Sequence, residues 1–391
     1  MTTMLMEPSR EQDEAAPTRM TRPNARVMHV VLRMTPGGTE RLVLEICTRV
    51  RGDFNVTVCC LDDEGEWAAD LRHEGIDVVA LRRQPGFRPG VGRRIAALAA
   101  ERQVDLLHCH QYSPFVYGWI ASQLNRRLKV VYTEHGRLSD APPSWKRQLV
   151  NPLLSHVNGE MVAVSHELRD YMLASQFTAR RVGVIHNGIE PGPTPSPSDR
   201  LRARRALGID DKAFVVMAVA RLDPVKDFPT LIDAFATVRD AVPHARLVIV
   251  GDGPERARLD ASAADARVAG AVDLIGFRAG VRGLLPAADL YVSSSISEGI
   301  SITILEAMAA NVAVVATAVG GTPEVLRTAA DGGILVPSRD PARLASAVLS
   351  LARDPAARAA IAAGGRRRLE TAFNIDRMVG DYVRTYRRLL D

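Results

Sequence analysis

Glu298 and Glu306 flank seven residues in the stretch SISEGISITILEAMA. A carboxylate accepts hydrogen bonds from ligand hydroxyls and brings negative charge to a site. Two held close can grip a polar ligand and face a developing cation. The strand-like run DLYVSSS, from Asp289, ends just before Glu298, and the apolar run after it predicts a helix with Glu306 about two turns in. At ~1.5 Å rise per residue, both carboxylates then lie along one edge of a single cleft. A strand–loop–helix unit sets its loop at the carboxyl end of a sheet, where open α/β folds bind ligands. The bland alternative makes Glu298 a helix cap and Glu306 a solvated acid. Against it, Ala307, Met308, Ala309 and Ala310 predict a largely buried helix, in which an acid needs a partner.

Fixed positive charge follows another strand run. Arg221 and Lys226 stand in VARLDPVKDF, in a chain whose 50 basic residues include only four lysines, Lys129, Lys146, Lys212 and Lys226. A lysine at this point suggests a need for a compact point charge, the alternative being a solvated residue after the turn at Pro224. Gly37 and Gly38 open a helix after the first strand, and the amides of Ile300, Ser301 and Ile302 open the helix bearing Glu306. Such helix starts hold anions without a metal. His135 ends the strand KVVYTE and either faces the cleft or caps the turn with Gly136. His108 and His110 share one strand face, but two histidines without a third ligand nearby in sequence make a weak metal site, and none is expected. Glu324 reads equally as a helix cap and as a ligand group.

These residues need elements to position them. With 391 residues, the chain is too long for one ordinary core and fits two domains. The runs RVMHVVLRM, FNVTVCC, DVVAL, DLLHCH, KVVYTE, EMVAVS and RVGVIH predict strands in the first half. AFVVMAVA, ARLVIVGD, VDLIGF, DLYVSSS, VAVVATAV and GGILVPS do so in the second. Apolar runs alternating with helices mean parallel sheets covered on both faces. Residues 1–25 are expected to be a disordered leader, followed by domains over 26–190 and 201–374, an extended proline-rich linker over 191–200, and a closing helix over 375–391. Cys47, Cys59, Cys60 and Cys109 lie in apolar contexts with no C-x-x-C, and read as buried free thiols.

The pattern around Glu298 resembles the E-x7-E motif of retaining glycosyltransferases of family 4, which have the GT-B fold of two Rossmann-like α/β domains facing a cleft. Other segments match in order: Gly37-Gly38-Thr39-Glu40, Glu134-His135-Gly136, Asn187-Gly188, Arg221 with Lys226, Gly251-Asp252-Gly253-Pro254, and Gly320-Gly321-Thr322-Pro323-Glu324. The resemblance covers roughly 27–390. It implies a nucleotide-diphosphate sugar as donor, UDP in preference to GDP, with the diphosphate on Arg221 and Lys226 and the ribose hydroxyls on Glu306. Glu298 and His135 then meet the donor sugar, and the last helix crosses back onto the first domain. No cofactor is implied. Where many members read E-G-F-G, this chain reads Glu298-Gly299-Ile300-Ser301, which narrows the pocket or adds a hydroxyl to it. TPGGTER and TEHGR are similar to segments of bacterial exopolysaccharide transferases, implying a glycan or lipid-linked acceptor.

A net charge of +5 suits anionic partners. Nucleic acid is not among them, because no basic run carries interleaved aromatics. The stretch Arg82–Arg102, with Phe87, Ile95 and Leu98, reads either as a membrane-facing basic patch or as a solvated helix face. No apolar run reaches the ~18 residues of a spanning helix, and a cytoplasmic protein, or one peripheral at the inner membrane face, is expected. Two other functions fit the same architecture: a sugar-nucleotide epimerase and a non-catalytic nucleotide-sugar-binding protein.

Overall fold

The computed structural model describes residues 25–137, 140–265 and 267–391. The leader expected over 1–25 lies outside the described residues apart from Ala25, which is buried and whose carbonyl accepts from the Asn55 N–H.

Every strand run in the first half pairs into one seven-stranded sheet, in the order β3-β2-β1-β4-β5-β6-β7. The strands are β1 (Arg26–Val31), β2 (Asn55–Cys60), β3 (Asp77–Ala80), β4 (Leu106–His110), β5 (Lys129–Glu134), β6 (Gly159–Ala163) and β7 (Val182–Val184). The second half forms a six-stranded sheet, β10-β9-β8-β11-β12-β13. Its strands are β8 (Phe214–Val219), β9 (Ala245–Val250), β10 (Val272–Leu274), β11 (Leu290–Ser293), β12 (Ala313–Thr317) and β13 (Gly333–Val336). All pairings are parallel. Helices cover both faces, so central strands such as β4 and β12 are buried throughout. The two Rossmann-like layers agree with the GT-B expectation.

In each sheet the strand order reverses between the first and fourth strands, at β1/β4 and at β8/β11. The carboxyl ends there form the crevice in which open α/β sheets take ligands. Gly37 and Gly38 follow β1, His110 ends β4, Arg221 and Lys226 follow β8, and Glu298 follows β11.

Two expectations are corrected. The proline-rich segment is not extended through 200, because a helix starts at Pro197 (Pro197–Ala206). Ser196 and Asp199 form a reciprocal capping box, and proline at the first helical position loses no needed N–H. Glu306 is only the fifth residue of its helix, Ile302–Ala309, little more than one turn in. The serine-rich loop after β11 runs on to Ser301, so the helix begins later than the apolar pattern suggests.

The last helix, Ile375–Leu390, buries Ile375, Met378, Tyr382 and Tyr386 against Val27, Leu106, Val131 and Val162 of the first sheet. The last helix thus packs on the first domain. Arg204, 1% exposed, donates to the Ala287, Asp210 and Asp211 carbonyls and to Asp289, anchoring the chain where β11 starts.

Candidate active site

Lys226 ends a single turn of 3-10 helix, Pro224–Lys226, beyond β8. Its Nζ lies 2.6 Å from Glu298 Oε1, and Ser295 Oγ donates to the same oxygen at 2.6 Å. The side chains are 21% and 10% exposed, so the pair is shielded but not sealed. The backbone fixes both partners. Ser294 Oγ donates to the Lys226 carbonyl, and the Ile296 N–H to that of Val225, both at 2.8 Å. Gly320 has φ +53°, and a Cβ there would fall 1.8 Å from the Glu298 carbonyl oxygen. The Gly321 N–H donates to the Gly299 carbonyl. The Gly320–Glu324 motif therefore cradles the loop that carries Glu298.

Arg221 is 72% exposed and paired with Asp223 rather than turned onto Lys226. The Gly251–Gly253 motif backs its segment: a Cβ on Gly251 would meet the Ala220 carbonyl at 1.9 Å. Glu306 borders a cavity of about 400 Å³ together with Arg282, Glu190 and Pro191. Burial pushes its carboxyl pKa up, against the opposing charges of Arg282 and Arg41. Arg282 escaped the sequence analysis because it stands in a glycine-rich turn with no motif around it.

Of the three amides expected to open the Ile302–Ala309 helix, those of Ile300 and Ser301 precede it. The first intrahelical bond runs from Leu305 N–H to the Ser301 carbonyl, so the N–H groups of Ile302, Thr303 and Ile304 precede the helical ladder. Ser301 Oγ lies 3.2 Å from Thr303 Oγ1, which accepts from Tyr291 at 2.7 Å.

The first domain closes on this loop. A Cβ on Gly299 would sit 2.2 Å from the His135 carbonyl oxygen, and one on Gly38, the first residue of the Gly38–Val50 helix, 3.6 Å from Ile302. Gly37 caps that helix with extended backbone. Asn187, buried, donates to the Ile300 carbonyl at 3.0 Å, which gives the Asn187-Gly188 motif a role as an interdomain strut. Glu324 is a cap, but of a helix in the other domain. It accepts from the Glu167 N–H at the start of His166–Ala174 and lies 2.8 Å from His186 Nε2.

His135 is the end of a row of rings. Its Nε2 lies 3.0 Å from His110 Nδ1, and His110 Nε2 lies 3.0 Å from His29 Nδ1. Burial lowers the pKa of His29 and His135 to about 3 and drives that of His110 well below the usual value. All three are therefore neutral at pH 7. Three neutral rings carry three protons, and the two ring-to-ring bonds use two. The third sits on either His29 Nε2 or His135 Nδ1, the two buried nitrogens without a partner. The His135 ring is thus a neutral donor or acceptor at pH 7, with its Nδ1 buried. His108 is held separately by Tyr386 at 2.5 Å and Thr133 at 2.8 Å, which ties the last helix to β4 and β5.

His29, His108 and His110 do lie close enough to share an ion, as do His166, His186 and Glu324. The third histidine that sequence spacing could not supply comes from the neighbouring strand β1, in register with β4. Among the described residues, Glu298, Lys226 and Glu306 belong to no such group. All four cysteines are free and buried, and burial pushes their thiols upward, Cys59 and Cys60 to about 12. In the Arg82–Arg102 stretch Ile95 and Leu98 are core residues and Arg83 and Arg102 pair with Asp62 and Asp77, while Phe87 is exposed.

Residues 199–368 match the glycosyl transferases group 1 family and residues 36–192 match Glycosyltransferase Family 4. The chain is 30% identical over 326 residues to a D-inositol 3-phosphate glycosyltransferase of Salinispora arenicola, covering 77% of this chain and 72% of that protein. It is 29% identical over 291 residues to the putative glycosyltransferase EpsD of Bacillus subtilis, covering 71% and 75%. The crystal structure of Anabaena HepE with UDP and glucose superposes with a TM-score of 0.82 at 25% identity, over 93% of this chain and 99% of that one. Fold, ordered motifs and relatives agree: the chain belongs to the group 1, family 4 glycosyltransferases, hexosyltransferase-type enzymes of the GT-B fold.

Proposed function

We propose that this glycosyltransferase moves a sugar, with retention at the anomeric carbon, from a UDP-sugar to a glycan or lipid-linked acceptor in bacterial polysaccharide assembly. It would work in the cytoplasm or at the inner membrane face. The observation that carries this reading is the 2.6 Å contact of Lys226 with Glu298 at the switch point of the second sheet, on a loop whose Gly299 lies against the His135 carbonyl. HepE, with 25% identity, has been crystallised with UDP-glucose, which favours UDP as the donor's nucleotide.

In this mechanism Lys226, Arg221 and the amide-rich starts of the Gly38–Val50 and Ile302–Ala309 helices take the charge that grows on the leaving diphosphate. Arg221 swings in from its exposed position when the donor arrives. Glu306 accepts the ribose hydroxyls. Glu298 and the neutral His135 hold the sugar, with Glu298 lending negative charge as the anomeric carbon becomes cationic.

No step uses a metal, so full activity is expected in excess EDTA. Loss of activity restored by Mn²⁺ would overturn this account of the leaving group. The overall reading is tested by incubating the protein with a panel of UDP- and GDP-sugars without acceptor. Slow release of free sugar supports a transferase. An isomerised nucleotide sugar would mean an epimerase, and neither product a binding protein.

The raised carboxyl of Glu306 gives a sign to the pH dependence. A raised pKa means that the charged acceptor form is lost at higher pH than for an ordinary carboxyl. Donor KM is therefore expected to climb as pH falls from neutral into the acid range. In Glu306→Gln the KM is high throughout and this limb is flat, with kcat little changed. An unchanged acid limb in Glu306→Gln would remove Glu306 from the donor site.

A further inference from the structure

The helix Trp145–Leu154, between β5 and β6, is turned the wrong way for a globular protein. Its buried side holds only Asn151 and Leu154. Asn151 accepts from the Tyr112 hydroxyl at 2.8 Å and donates to the Ser175 carbonyl at 2.7 Å, which pins the helix in this rotation. The large apolar residues point outward. Trp145 is 66% exposed, Leu149 70% and Leu153 56%, at i, i+4 and i+8, with Val150 beside them at 44%. Four of the eight exposed large hydrophobics in the described residues lie on this helix, and a fifth, Leu124, sits beside Arg126 and Arg127. An apolar face of this kind marks an interaction site.

Charge identifies what covers it. From Leu106 to Thr133 and from Ala141 to Gly159 there is no aspartate or glutamate. The same segments carry Arg126, Arg127, Lys129, Lys146 and Arg147. Lys146 and Arg147 follow Trp145, while Asn158, just past the helix, bonds to Lys129 and to the Arg126 carbonyl. Cations thus bracket the stripe at both ends. An apolar stripe with a tryptophan, bracketed by cations of which only Arg147 faces a carboxylate, that of Glu134, has the chemistry of an interfacial membrane helix.

We propose that the Trp145–Leu154 helix lies in the surface of an anionic lipid bilayer. Trp145, Leu149, Val150 and Leu153 enter the headgroup boundary, and Lys146, Arg126 and Arg127 meet lipid phosphates. The helix starts at the cleft end of the first sheet. Tyr112, against which Arg147 packs at 4.2 Å, follows His110 by two residues. Docking therefore sets the acceptor side of the cleft at the membrane, a consequence that rests on the lipid-linked acceptor proposed above, whereas binding to the bilayer does not.

The test is sedimentation of the full chain with phosphatidylcholine vesicles, with and without phosphatidylglycerol. Binding is expected only with the anionic lipid, weakened by high salt. Leu149→Ser with Leu153→Ser should lower vesicle affinity about tenfold or more, and Arg126→Gln with Arg127→Gln should lower it for anionic vesicles alone. A blue shift in tryptophan emission on adding vesicles should vanish in Trp145→Phe, which still binds. Equal binding by wild type and the double serine variant overturns the proposal. So does a wild-type dimer that the serine variant converts to monomer, since the face would then belong to a second copy. Release of sugar from the donor in solution is expected to be unchanged in every variant. Its absence in wild type would remove the transferase reading and leave the membrane result standing.

Discussion

Glu298→Gln is expected to lower kcat by about 10²-fold or more with the fold intact. The substitution is nearly isosteric, and a glutamine oxygen can still accept from Lys226 Nζ and Ser295 Oγ, both 2.6 Å from Glu298 Oε1. The cradle of Gly320 and Gly321 fixes the backbone independently of the side chain. In the proposed mechanism, what disappears is one negative charge beside the anomeric carbon, at a position only 10% exposed, where charge is poorly screened. That loss is felt in the transition state more than in the bound donor, so kcat falls and KM changes little. UDP affinity should hold or rise, because Lys226 no longer shares its charge with a carboxylate. Steady-state kinetics with calorimetry of UDP binding reads both. Wild-type kcat in Glu298→Gln, with turnover abolished by Glu306→Gln, would reverse the two roles.

Lys226→Ala should weaken UDP binding and lower turnover together. A charge-assisted contact to the diphosphate is worth about 1.5–3 kcal/mol, or roughly 10- to 100-fold in affinity. The structure adds a second consequence. Removing Lys226 also strips Glu298 of its cationic partner and leaves a shielded carboxylate next to where the diphosphate would bind. The two substitutions should therefore not be additive. With Glu298→Gln already in place, Lys226→Ala should cost less than it does alone, because no unpaired carboxylate remains. Lys226→Arg is not expected to restore wild-type behaviour, since the site is built around a point charge 2.6 Å from one oxygen. Unchanged UDP affinity in Lys226→Ala would take this residue out of the diphosphate site.

The thirteen strands among the described residues were legible in the chain because most are largely apolar runs, and such runs follow from burial on both sheet faces. Spacing and strand ends also marked Glu298, Glu306, Lys226 and His135 as candidates, since ligand groups in this architecture gather at the carboxyl ends of strands. Local sequence failed where tertiary contacts decide. The Lys226–Glu298 bond joins residues 72 apart, and the His29–His110–His135 row draws one ring from each of three neighbouring strands or their ends. Glycine motifs announced a tight approach but not its partner: Gly299 meets His135 of the other domain, and Gly320 meets Glu298. The Trp145–Leu154 helix marks the limit most clearly. Trp145, Leu149 and Leu153 have the periodicity of a core-facing stripe, yet Asn151 is inside and they are outside. Periodicity determines that a helix has an apolar face, but it is blind to which way that face turns. Only the packing around Tyr112 and Ser175 sets the rotation, because a buried amide must find its hydrogen-bond partners there.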